Sequence, residues 1–107
     1  MDSHIIIYCT VPSLEIGTKI ADDLVMGEYA ACVNIIPGIT SIYRWKGDIC
    51  RDKELLLIIK SRKTLFEKIQ NRIQALHPYE VPEIISCEIS GGSEPYLKWI
   101  SESTHPS

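Results

Sequence analysis

No stretch of this sequence is apolar for long enough to span a bilayer, and its start shows no basic segment leading into an apolar one. A crossing helix needs about 20 apolar residues in a row, so no membrane partner is expected and a cytoplasmic protein is. Basic residues are few: 11 Lys and Arg against 14 Asp and Glu leave a net charge of −3. Phosphate binding needs a basic stripe, and with the two signs interspersed no nucleic-acid partner is expected. The cysteines at 9, 32, 50 and 87 contain no Cys-x-x-Cys pair, and the chain is neither short nor loop-rich, which disfavours a disulfide framework. Cys9, Cys32 and Cys87 lie in apolar runs and read as small buried hydrophobes. Cys50, beside Arg51 and Asp52, reads as exposed. Gly91-Gly92-Ser93-Glu94 lacks the lysine of a phosphate loop, and neither a G-x-G-x-x-G motif nor a nucleophile elbow occurs. Without these the sequence is not read as an enzyme.

What is present is a long pair of extended segments, Ala30–Trp45 and Asp48–Lys60, joined at Lys46-Gly47-Asp48. Ile, Val and Tyr on one arm and Leu and Ile on the other favour strands. The Gly47-Asp48 pair offers the positive φ that a tight hairpin turn requires. Pro37-Gly38 predicts a bulge, because apolar residues resume at Ile39. Residues 30–45 would extend to roughly 50 Å at about 3.3 Å per residue, whereas a domain of this size has a radius of gyration of about 13 Å. The hairpin tip, with Trp45 on it, is therefore expected to reach another chain. The continuous apolar run Leu55–Ile59 predicts a strand covered on both faces.

The 107 residues make one domain, 1–107, with about 4–103 expected to be ordered and the tail SESTHPS frayed. His4–Thr10 is a strand. Ser13 caps a helix with Leu14, Ile20, Leu24, Ala21 and Val25 on its apolar side. Thr64-Leu65-Phe66-Glu67 predicts a capping box opening a second helix, which Pro78 stops at His77. Ile84–Ser90 is a strand, and Ser93 caps a short last helix. The order βαββαβ plus a terminal helix is the ferredoxin-like α+β arrangement, an antiparallel sheet with helices on one face. The other face then calls for a further copy of the chain.

Right-handed connections bring Cys9, His77, Tyr79 and Glu83 to one edge of the sheet. Thiolate and imidazole suit copper or zinc; equally, Cys9 is a packing residue and His77 a cap for helix carbonyls. Lys60 either binds an anion or snorkels to solvent. Trp45 is either a partner anchor or an edge aromatic.

The runs ACVNIIPGITSIYRWKGDI, ELLLIIK, LHPYEVPEII and YLKWI, in that order from about Ile5 to Ile100, resemble the CutA divalent-cation-tolerance proteins. The resemblance implies a ferredoxin-like subunit in a compact homotrimer, similar in architecture to PII-type regulators, linked to copper tolerance and to the response to metal ions. It implies no assigned enzymatic reaction. By position, the family's copper-ligand cysteine falls on Cys9, and its histidine before Pro-Tyr falls on His77; some members carry a second histidine where this chain has Leu76. One functional expectation is a trimer that binds copper or a similar ion exchangeably at Cys9 and His77, with no required cofactor. The other is a metal-independent, PII-like signalling or scaffold trimer with inter-subunit clefts for a small ligand or a protein.

Overall fold

Strand β1, His4–Val11, alternates half-buried and buried positions, as a strand does when one of its faces carries the core. Residues 2–107 are described in this computed structural model. Helix α1 covers Leu14–Met26, with the Ser13 hydroxyl accepting from the Ile16 N–H at 3.2 Å. Gly17, Ile20, Ala21 and Leu24 form its buried line. Leu14, in the first turn, and Val25, off that line, are exposed rather than part of the expected stripe.

Strands β2, Cys32–Trp45, and β3, Asp48–Arg62, form the long hairpin, with a register shift between Ile36 and Ile39. Gly38, at φ +80, sits in that shift beside Pro37, so the bulge falls where the sequence predicts it. At the turn Gly47 takes the expected positive φ (86), and Lys46 takes one as well (φ 50). With Trp45 paired to Asp48, the loop holds two residues, a length at which turns with two positive φ values match the strand twist.

Helix α2, Phe66–Leu76, follows a 3-10 turn at Lys63–Leu65. The expected Thr64–Glu67 capping box is absent. The Asp2 carboxylate takes both the Thr64 N–H at 3.2 Å and the Thr64 hydroxyl at 2.6 Å. A distant carboxylate has displaced the local partner, because it takes the Thr64 N–H that Glu67 would have taken, turns the Thr64 hydroxyl into a donor, and also pairs with Arg62 at 3.0 Å. Strand β4 is short, Ile85–Glu88 rather than Ile84–Ser90, and helix α3 spans Glu94–Glu102. The tail is not frayed at its start: Thr104 is fully buried, its hydroxyl accepting from Arg62 Nε at 2.8 Å and donating to the Ile100 carbonyl at 2.8 Å.

The sheet order is β2-β3-β1-β4, antiparallel throughout, a ferredoxin-like α+β fold. Ile5, Ile7, Cys9, Leu57 and Ile59 meet Ile20, Leu24, Ile69 and Ile73 in one core. Alternation puts His4 and Arg62, which are cross-strand partners, on the opposite face from Ile5. His4 reaches α3 through Ser101 at 2.8 Å, and Arg62 reaches Thr104 just beyond the end of that helix. Helix α3 therefore covers one end of the second face, and the rest of that face, with Tyr8, Leu56 and Ile58, is only half-buried. Of the Leu55–Ile59 run, the core face is fully covered at Leu57 and Ile59, whereas Leu56 and Ile58 on the other face are half-buried within the subunit. The hairpin stretches the molecule to 44 × 27 × 22 Å.

Candidate functional site

Strand β1 ends beside the point where α2 stops. The His77 backbone N–H closes α2 on the Ile73 carbonyl at 2.8 Å, and Pro78 prevents a further turn. The ring then points back to the sheet. His77 Nδ1 accepts from the Tyr79 N–H at 3.2 Å, which leaves Nε2 to carry the proton and donate to the Thr10 carbonyl at 2.7 Å. The Cys9 thiol donates to the same carbonyl at 3.7 Å. Cys9 and His77 thus come together, as topology predicts, through one shared acceptor.

Tyr79 continues the chain of contacts. Its ring lies 4.7 Å from that of His77, and its hydroxyl donates to Glu54 Oε2 at 2.8 Å. Burial first, and then that bond to Glu54, raise the Tyr79 phenol above its usual value. Glu54 is itself buried, 5% exposed. Glu83 is exposed, yet its charge acts on Cys9. Burial first, then Glu83 and Glu54, push the Cys9 thiol up to about 12.

This chemistry does not fit a resident metal. A metal takes a thiolate and a ring nitrogen that is free of its proton. Here burial pushes the thiol up, which disfavours the thiolate, and both nitrogens of His77 are engaged within the chain. Among the described residues, no three side chains of His, Cys, Asp or Glu converge as a metal cluster. Cys9 is fully buried and His77 is 7% exposed.

The other candidates separate. Lys60 faces away from Cys9: it pairs in register with Ile6 and Cys32, and its ammonium bonds Asn34 Oδ1 and lies 3.9 Å from Cys32 Sγ. Trp45 and Tyr79 are brought together instead, lining with Tyr43, Pro78, Glu80 and Val81 a cleft of about 320 Å³. Trp45, expected to reach another chain, thus lines a cleft with residues of its own. Tyr43 donates its hydroxyl to Asp52 Oδ2, and that bond first, with desolvation, pushes its phenol up to about 12. The cysteine expectations divide. Cys9 is buried and Cys32 and Cys50 are half-buried, whereas Cys87 is exposed: β4 is the edge strand, and Cys87, opposite Ile6, lies on the second face.

Sequence reading missed Glu54 and Tyr43. Glu54 carries a signal, as the last acid of the charged run Arg51-Asp52-Lys53-Glu54 where it meets Leu55-Leu56-Leu57. Tyr43 shares a strand face with Trp45 two residues on. The role of the Thr10 carbonyl leaves no mark in the sequence, since every residue has one.

The family model of the CutA1 divalent ion tolerance protein matches residues 5–103. "Divalent-cation tolerance protein CutA" of Thermus thermophilus is 50% identical over 99 residues, covering 92% of this chain and 96% of that protein. "Protein CutA, chloroplastic" of Arabidopsis thaliana is 49% identical over 100 residues, 94% of this chain but 55% of the relative, so the chain spans about half of that protein's length. The crystal structure of CutA1 from Oryza sativa superposes with a TM-score of 0.94 at 44% identity, covering 98% of this chain and 96% of that one.

Proposed function

Since the chain belongs to the CutA1 divalent ion tolerance family, we propose that it serves divalent-cation tolerance as a homotrimeric, PII-like scaffold that receives a small ligand or a protein rather than as the holder of a resident metal. One observation carries this reading: the His77 ring spends both nitrogens on Thr10 and Tyr79, tying β1 to the 77–84 loop. Cys9 and His77 then shape the site instead of coordinating at it. The reading involves ligand retention and no catalytic step, no cofactor and no nucleic acid. A cytoplasmic location is part of it; among the described residues no helix is long and apolar enough to cross a membrane, though the Arabidopsis relative is named chloroplastic.

The trimer is supported by the outer hairpin. Ile42 and Ile49 are 60% and 54% exposed and share one face, since Ile42 pairs with Arg51 and Arg44 with Ile49. The opposite face, with Tyr43 and Trp45, lines the cleft. Apolar side chains at the end of a two-stranded ribbon need cover, and a further copy supplies it. Light scattering at micromolar concentration should give about three chains' mass; a monomer's mass throughout overturns the trimer. Copper and zinc titrated into the reduced protein should show no tight uptake. Uptake abolished in both Cys9→Ser and His77→Ala overturns the scaffold reading.

A second reading keeps copper as an exchangeable guest, favoured by Cys9 and His77 sharing the Thr10 carbonyl. Uptake then requires loss of the thiol proton, which burial holds to about 12. Affinity must then rise with pH, since binding takes the thiolate and releases the thiol proton. A pH-independent affinity rules it out.

A further inference from the structure

Resting on the scaffold reading, the geometry points to a binding site for a small organic ammonium cation in the cleft formed by Tyr43, Trp45, Pro78, Tyr79, Glu80 and Val81. Its volume, about 320 Å³, falls at the lower end of the range for small-molecule clefts, about 300–1,000 Å³. Three aromatic rings contribute to its wall, and rings attract cations through their negative faces. The two phenols donate to carboxylates, Tyr43 to Asp52 and Tyr79 to Glu54. The charge gathered behind the aromatic wall is therefore negative.

A cation already stands beside two of the lining residues. The Lys46 ammonium lies 5.6 Å from the centroid of the Trp45 ring and 4.0 Å from Glu80 Oε2. It stands on the two-residue turn, and the Lys46 and Glu80 side chains are 72% and 75% exposed. An exposed pair of this kind holds weakly, so a ligand can displace it. Lys46 thus marks where an external ammonium sits, over the indole and beside Glu80, with its apolar body against Pro78 and Val81.

A divalent metal ion fits this cleft less well. Hard cations take six or more oxygens at short range, whereas Glu80 is the one carboxylate in the lining, and Asp52 and Glu54 outside it accept hydrogen bonds from the phenols. An ammonium bearing alkyl groups needs few oxygens and gains from the rings.

The test uses the assembled protein carrying Trp99→Phe, which leaves Trp45 as the sole indole of the two in the chain. Choline chloride is titrated against Trp45 fluorescence, with 3,3-dimethylbutanol as the uncharged isostere and sodium chloride at matched ionic strength. Choline should give a saturable change, at least about five-fold tighter than the isostere. Lys46→Asn removes the competing ammonium while keeping a side chain suited to positive φ, and should tighten choline about two- to five-fold. Glu80→Gln should weaken it by a similar factor. A linear response, equal responses to choline and its isostere, or unchanged affinity in Lys46→Asn overturns the site. A flat choline titration at three-chain mass removes the ammonium site and leaves the scaffold standing. Tight copper uptake through Cys9 and His77 removes the scaffold reading whatever choline does.

Discussion

From Leu55 to Lys60, β3 lies between β1 and β2, and Leu57 and Ile59 are fully buried under α1 and α2. From Asp48 to Lys53 the same strand has only β2 beside it, and Ile49 stands 54% exposed. Both stretches contain good strand formers. They differ in the number of neighbours, since a central strand with helices over it buries a face within the chain, whereas a two-stranded ribbon does not. One half of the hairpin builds the subunit, and the other half is available for building the assembly.

The largest effect expected from this contrast is at Leu57. Leu57→Ala should cost about 2–5 kcal/mol in denaturant unfolding, from lost transfer energy and the cavity left behind. Ile42→Asp should leave the subunit folded by circular dichroism and reduce the scattering mass from three chains to one. If Ile42→Asp unfolded the subunit as Leu57→Ala does, the division of labour along the hairpin would be wrong.

Next in size is the Asp2 clasp, which ties the start of the chain to the end of β3. Asp2→Ala should cost about 1–3 kcal/mol, because it removes a charged partner from Thr64 and Arg62. Thr64→Ala loses one bond and should cost about 1 kcal/mol, while Glu67→Ala, with no capping box to break, should stay within about 0.5 kcal/mol. Burial alone raises the Asp2 carboxyl, but the two Thr64 bonds and Arg62 outweigh it and lower it from 3.8. Its stabilising contribution is therefore present above pH 3.8 and lost as pH falls through the lowered value. An acid limb of unfolding that is unchanged in Asp2→Asn would refute the clasp.

The smallest effect is at the turn. Lys46 has a φ of 50, where asparagine is far commoner. Lys46→Asn should raise stability by about 0.3–1 kcal/mol, measured as a small rise in melting temperature of the trimer. A fall would mean that Lys46 contributes more through Trp45 and Glu80 than the turn loses by holding it.

Much of this was legible beforehand. The strands, the bulge at Pro37-Gly38, the stop at Pro78 and the meeting of Cys9 with His77 followed from side-chain type, spacing and the handedness of connections. The capping box at Thr64-Glu67 failed because a local pattern competes with any distant group that offers a better acceptor, and Asp2 does. The apolar context of Cys87 suggested burial, but edge position overrode it. The tail SESTHPS looked frayed from its polarity, yet Thr104 is drawn in by Arg62.

The sequence by itself determined the order of elements and the ferredoxin-like topology, which rest on short-range steric preferences and on hydrophobic period, and the family, which rests on runs such as LHPYEVPEII. Tertiary structure alone decided which groups the site residues meet. Whether an imidazole nitrogen is free or spent in a hydrogen bond depends on which donors and acceptors surround it. His77 meets the Thr10 carbonyl and the Tyr79 N–H, two backbone groups that no side-chain pattern records. The aromatic cleft arises the same way, by the folding of Tyr43 and Trp45 against a loop more than thirty residues away in the chain.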